Sequence, residues 1–560
     1  MSPVRIFYAV WLLITLWLAV CAFVIQGEYG DGYQTIANAR YFFADSTGYY
    51  VQRGPLPAIV LWPVEIIAGW LGADPLDVRP HHIFSATIHS AYLFGCWVCL
   101  RRVAGSDPAR LLAFGTAILT VIFYAYAPFL SHDLLPGLLF ALMILLAHRW
   151  IEDNNAKDAV ILVLLGAAVT LIKQTYALFW FTIVVFALLS FALRWDEHRI
   201  KLRQLILLLG FAAGSALISW FSYALYSGAE APDSNFFTRP LMLIAAISSQ
   251  YGDQMEGAFA ADLYLRNLHN YGIAAMLLVL PGVVLAIRGQ DSRLRLVAIC
   301  WVVTVIAMQL IGFREARYLA FLAPLTAMLI VPVVDLVLRQ RAAAVLLVIL
   351  LALDQSRGLS TATQPLVASS DMNVVGFFNA VESNGRIMSS RVLNFVYDAQ
   401  SPLSRDRYHG IYHLTPSLIE RLHSGTATVA EIPDPAELGQ AGILDGDRVY
   451  YSNNALIRSP PWSDSNEPND LANYLLVAGD AINVRLQRRD QGFERENNDG
   501  SYLLFLPVPS VGAQMPVISS GFIDHGTARR IYGATEGRGY IDAMVVEIKA
   551  VCQRDSCSSQ

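Results

Sequence analysis

The chain has 560 residues, of which 55% are hydrophobic and only 15% are charged, and its mean hydropathy is +0.45. A soluble chain carries about a quarter charged residues, so this composition describes an integral membrane protein. A net charge of −5, spread thinly, excludes nucleic acid as a partner.

Apolar runs long enough to span a bilayer are predicted at 6–25, 83–100, 111–127, 134–151, 158–172, 174–193, 204–226, 271–288, 296–312, 318–338 and 342–354. That makes about eleven helices. The first run is long for a signal-peptide core and has no A-x-A-like site after it, so it reads as a retained span. LPAIVLWPVEIIAGWLG at 56–72 is apolar but interrupted by Pro63 and Glu65, which predicts a helix lying in the interface. The stretch 158–193 reads either as two helices turning at Lys173 and Gln174 or as one long tilted helix.

Orientation follows from basic residues in alternate loops. Arg101, Arg102 and Arg110 follow the second run, Arg149 and Lys157 the fourth, and Arg194, Arg199, Lys201 and Arg203 the sixth. Arg288, Arg293 and Arg295 lie between the eighth and ninth, and Arg339 and Arg341 between the tenth and eleventh. These loops and the N-terminus are therefore expected in the cytoplasm. With an odd number of spans, residues beyond about 355 face the other side.

From 355 onward Asn, Asp, Ser and Pro rise, and short alternating apolar stretches such as DRVYYSNNALI, NYLLVAGDAINVRL and AMVVEIKAV predict strands between turns. The expected architecture is a polytopic α-helical membrane protein with a C-terminal soluble mixed α/β domain. The division falls into a transmembrane domain at 1–354, with a long outer loop at 26–82, and an extracytoplasmic domain at 355–560. The chain is placed in the plasma (inner) membrane. Cys21, Cys96, Cys99 and Cys300 sit inside apolar runs as small hydrophobes. Cys552 and Cys557 flank a polar QRDS and would close a small disulfide loop in an oxidising compartment.

Ionisable groups beside the outer membrane face are the candidates for chemistry, because charge there is costly without use. The first loop offers Glu28, Asp31, Arg40, Asp45 and Arg53, and the second His132 and Asp133. Lys173 lies at the fifth turn, and Arg314, Glu315, Arg317 and Tyr318 open the tenth span. Each alone could be an interfacial anchor or a helix cap. Gathered on one face, acids and cations would suit an anionic, lipid-linked substrate: an acid takes a proton from an attacking hydroxyl, and a guanidinium grips a phosphate.

Asp31, the stretch YQTIANAR (33–40), YYVQRGPLP (49–57), LIKQTYALF (171–179) and REARYLAFLAP (314–324) occur in that order over residues 1–355. Together they resemble the C-type integral-membrane glycosyltransferases, in the branch of protein O-mannosyltransferases and lipid A aminoarabinose transferases. That branch usually has Asp-Glu where this chain has Asp31-Gly32. The resemblance implies a hexosyl- or pentosyltransferase whose donor is a sugar on a polyprenyl phosphate and whose acceptor, a lipid, glycan or protein, arrives from the outer side. It makes Asp31 the general base of an inverting attack, and Asp133 a second catalytic acid orienting acceptor or sugar. Arg53, Lys173, Arg314 and Arg317 would hold the donor phosphate, with Tyr50, His132 and Tyr318 as substrate-binding neighbours. No cofactor or metal is called for: the first loop has no D-x-D, and cations already abound. A secondary transporter or lipid-linked sugar flippase is the rival reading, weakened by the lack of an internal repeat. A non-catalytic scaffold is a third.

Overall fold

The computed structural model describes residues 2–25, 54–73, 77–193, 200–226, 263–266, 268–310 and 316–370. It also describes isolated positions at 32, 35, 36, 38, 39 and 238, and seven strands between 386 and 553. Its principal helices among the described residues begin with α1 (Pro3–Val24), α2 (Pro55–Trp70), α3 (Arg79–Leu100), α4 (Asp107–Ala117), α5 (Val121–Tyr126), α6 (Leu135–Asp153) and α7 (Ala156–Ile172). Then come α8 (Leu178–Leu193), α9 (Leu202–Tyr226), α10 (Ile273–Arg288), α11 (Ser292–Leu310), α12 (Ala323–Leu338) and α13 (Arg341–Ser370).

Local chemistry sets these boundaries. Ser2, Ser106, Thr120 and Asn155 each accept a backbone N–H with the side chain at a helix start, and proline occupies the first turn of α1, α2, α3, α4, α6 and α12. Asn154 closes α6 in the left-handed region at φ 51°, a conformation asparagine tolerates. The run expected at 111–127 is broken, because Thr120 caps a new helix three residues after Ala117.

Eight of the described helical segments are long and apolar enough to cross a membrane. Of the eleven expected, the remaining three are the broken α4–α5 pair, α7 with 17 residues and α10 with 16. The ambiguity at 158–193 resolves as two helices: Lys173 is extended (φ −157°, ψ 134°) and a 3-10 turn, Gln174–Ala177, leads into α8. The interfacial segment folds as α2, with Ile59, Trp62, Ile67 and Trp70 exposed. The last span does not stop near 354 but continues as helix to Ser370.

Helix α1 packs along α3, α7 lies between α6 and α9, and α12 lies between α4 and α10. Aromatic rings fill the centre: Phe7 stacks on Trp97 at 4.4 Å and meets Phe114 edge-on at 5.3 Å. The outward faces of α1 and α9 are apolar, with Leu13, Phe23, Leu217 and Leu225 exposed, as suits hydrocarbon rather than water. Polar contacts join helices within the spans, as where the Thr15 and Ser90 hydroxyls lie 2.8 Å apart, and also at their ends. At the end with the basic loops, Ser106 Oγ donates to Asp335 at 2.5 Å and Gln204 Nε2 to the Ile151 carbonyl at 2.8 Å.

Beyond α13, seven strands form one mixed sheet in the order β2-β1-β3-β7-β6-β5-β4. They are β1 (Arg386–Ser390), β2 (Tyr408–Ile411), β3 (Val449–Tyr451), β4 (Arg485–Arg489), β5 (Gly492–Glu496), β6 (Ser501–Pro507) and β7 (Val546–Gln553). β1 runs parallel to β2 and β3, and the other pairs are antiparallel. Two of the three predicted strand segments hold β3 and most of β7, and the third meets β4 only at its end. Cys552 lies on β7, and Cys557 is outside the described residues.

Candidate active site

The end of the bundle opposite the basic loops is where α5 meets α6. Residues 127–134 turn the chain there, and the backbone N–H of Asp133 donates to Ser131 Oγ at 3.3 Å. This places His132 and Asp133 between two buried elements. His132 Nε2 lies 2.5 Å from Thr35 Oγ1. Thr35, Ile36, Asn38 and Ala39 of the YQTIANAR stretch are all buried, so these positions of the first loop pack inward.

Asp133 is buried, with 3% of its surface exposed. Its Oδ2 is 3.8 Å from Nε of Arg317, itself only 8% exposed. Tyr176, on the 3-10 turn after Lys173, points its hydroxyl at Asp133 Oδ1 (3.3 Å) and the His132 carbonyl (3.2 Å). A phenol has one proton to donate, so these two acceptors share it. The Arg317 guanidinium lies 5.9 Å from the Tyr126 ring and 5.6 Å from that of Tyr318. Lys173 Nζ sits 4.1 Å above the Tyr318 ring. Two cations thus flank one tyrosine, with one carboxylate beside them.

Gly54 reaches the same place. Its N–H donates to the Ile172 carbonyl at 3.2 Å, one residue before Lys173. A Cβ at Gly54 would overlap the Leu171 carbonyl, so only glycine permits this approach. A Cβ at Gly137, at the start of α6, would likewise overlap the Phe321 carbonyl, so the 316–322 turn lies against the Asp133 loop.

An apolar cavity of about 490 Å³ adjoins the cluster, between α4–α5, α10, α11 and the 3-10 turn that carries Arg317. Ile118, Phe123, Tyr271, Trp301, Leu319 and Leu322 line it. Further along this end, His81 Nε2 meets Glu65 Oε1 at 2.7 Å, tying α2 to α3. Arg79 grips Asp77 at 2.7–2.9 Å. Burial pushes the Asp77 carboxyl up, but the hydrogen bonds and charge of Arg79 outweigh it and hold it below its ordinary value. Among the described residues, no three His, Cys, Asp or Glu side chains gather as a metal site.

Of the residues read from sequence, His132, Asp133, Lys173, Arg317 and Tyr318 come together here. Asp31, Tyr50, Arg53 and Arg314 lie outside the described residues. Tyr176 and Tyr126 were not singled out by sequence reasoning. Tyr176 stands three residues after Lys173, and a tyrosine just past a cation at a helix break is the one signal that marks it.

A family model, that of dolichyl-phosphate-mannose-protein mannosyltransferase, matches residues 57–220, which include His132, Asp133, Lys173 and Tyr176. ArnT from Cupriavidus metallidurans in the apo state is similar in fold, with a TM-score of 0.53 at 12% identity, covering 82% of this chain and 94% of that one. ArnT from the same organism bound to undecaprenyl phosphate gives 0.53 at 11% identity over 87% and 96%. No curated protein matches the sequence. At such identities the shared property is the fold. Family model and fold together bear out the resemblance of this chain to the C-type integral-membrane glycosyltransferases.

Proposed function

We propose that this protein is a membrane glycosyltransferase that moves a sugar from a polyprenyl-phosphate donor to an acceptor on the outer side of the membrane. The observation that carries the reading is the convergence of Asp133, Arg317, Lys173, Tyr318 and His132 at one end of the bundle. The undecaprenyl phosphate bound to the similarly folded ArnT supports a donor of that class. In this reading the eleven predicted segments all cross the bilayer, the shorter three included, and residues beyond α13 face outward.

The acceptor oxygen attacks the anomeric carbon from the face opposite the phosphate. Asp31 takes the acceptor's proton, the bond from carbon to phosphate oxygen breaks, and polyprenyl phosphate leaves with one more negative charge. Cations already fixed at that oxygen lower the barrier, because they need no reorganisation as the charge develops. Arg317 and Lys173 serve that role, joined by Arg53, the covalent neighbour of Gly54, and by Arg314. Asp133 is engaged by Tyr176 and faces Arg317, which suits it to orienting the guanidinium rather than to abstracting a proton. The apolar cavity receives the first isoprene units beside Leu319 and Leu322. The chemistry asks for no metal.

Mass spectrometry of lipids from membranes with the wild-type protein and with Arg53→Ala tests this. The expected result is accumulation of a sugar-linked polyprenyl phosphate with the variant. Identical lipid profiles would contradict it.

A further inference from the structure

The end of the bundle with the basic loops holds a second concavity, of about 510 Å³, between the α3–α4 turn, the last turns of α6 and the start of α11. Arg101, Arg102, Arg110 and Arg293 line it, against the carboxylates Glu152 and Asp291. Both carboxylates are occupied. Asp291 Oδ1 accepts the N–H groups of Arg293 at 2.9 Å and Leu294 at 3.2 Å, and Glu152 Oε2 is 3.3 Å from His148 Nδ1. The N-terminus of α11 is therefore already capped, and attraction for an anion comes from the arginines.

Those arginines are of two kinds. Arg110 donates to the Val103 carbonyl at 2.9 Å and to Asp107 at 2.6 Å, while Arg293 donates to the Arg102 carbonyl at 2.6 Å. The side chains of Arg101 and Arg102 are exposed and have no hydrogen bond or salt bridge among the described residues. A buried pair, His148 Nε2 with Ser292 Oγ at 2.7 Å, forms part of the wall. Membrane orientation alone explains basic residues in a loop. It does not explain their closing round one concavity from two loops, over a buried imidazole and hydroxyl.

A polar pocket of this volume accommodates a small ligand rather than a lone water. Guanidinium forks match phosphate oxygens two at a time. We propose that this pocket binds a phosphate ester through Arg101 and Arg102, with Arg293 beside them. Two sources share that chemistry: the headgroup of an anionic phospholipid in the adjoining leaflet, and a soluble phosphate ester. Basic pockets between helices at a membrane's cytoplasmic face commonly take the former. The inference does not depend on the catalytic assignment, which concerns the other end of the bundle.

The test uses the full-length protein, delipidated in detergent, with phosphatidylglycerol, phosphatidylcholine and glycerol 3-phosphate as separate probes followed by native mass spectrometry. The variants are Arg101→Ala/Arg102→Ala and Arg101→Lys/Arg102→Lys; the second keeps the loop basic and so preserves insertion. Wild type should bind phosphatidylglycerol over phosphatidylcholine, the alanine pair should lose roughly tenfold in affinity, and the lysine pair should recover part of it. Binding of phosphatidylglycerol alone identifies a lipid headgroup as the ligand. Binding of glycerol 3-phosphate with the same dependence on the two arginines identifies a soluble one. Equal binding by wild type and a folded alanine pair, or no preference over phosphatidylcholine for either probe, overturns the proposal.

Discussion

Asp133 is the residue whose surroundings restrict its chemistry most. One oxygen faces a phenol at 3.3 Å and the other a guanidinium at 3.8 Å, and the group is almost fully buried. In the proposed reading, a carboxylate so engaged holds a cation in place. Asp133→Ala should leave Arg317 as an uncompensated buried charge and cost about 3 kcal/mol of stability, read as a fall in Tm. Asp133→Asn keeps an acceptor for Tyr176 and should cost less, while still weakening donor binding as Arg317 loses its orientation. Wild-type donor affinity in Asp133→Asn would show that Arg317 is positioned by something else. Arg317→Lys keeps the charge but loses the planar fork, so donor binding should fall by roughly tenfold in an equilibrium measurement. An unchanged affinity would remove Arg317 from the phosphate grip.

At the scale of elements, the Gly54 junction is the most exposed to test. Gly54→Ala places a methyl group against the Leu171 backbone, which cannot yield as a side chain would. The expected outcome is an overpacking loss of about 1–3 kcal/mol and a larger loss of activity, because Arg53, proposed to hold the donor phosphate, is the covalent neighbour of this residue. A variant with wild-type activity would mean that the close approach of Gly54 to Leu171 is not needed for the chemistry. The helices themselves were legible, since twenty apolar residues have few alternatives to a span. The break at 118–120 was not, because a threonine inside an apolar run reads as ordinary core until its hydroxyl is seen capping Phe123. Nor was the site's central contact. Asp133 and Arg317 lie on loops far apart in sequence, and nothing local says that the close approach of Gly137 to Phe321 will bring them together. Basic character on alternate loops did separate the two ends, because it needs only a sign and a side.

At the scale of the whole molecule, the cations divide into two groups. One end gathers Lys173 and Arg317 round aromatic rings and a buried acid, and the other gathers arginines in short loops. If the first end faces outward, a cysteine introduced as Ser452→Cys should react with an impermeant reagent in intact cells. Gln340→Cys should react only after lysis. The reverse pattern would place the candidate active site in the cytoplasm.

The central claim is that this end performs glycosyl transfer rather than transport, and Asp31 tests it most directly. Purified wild type and Asp31→Asn in nanodiscs would be compared for binding of a polyprenyl-phosphate sugar and for transfer of that sugar to a membrane extract. Asparagine keeps shape and polarity but accepts no proton, so turnover should drop by roughly 10² or more while donor binding survives. Transfer at the wild-type rate by Asp31→Asn, or no glycosidic product from wild type despite movement of the donor lipid, would contradict the account.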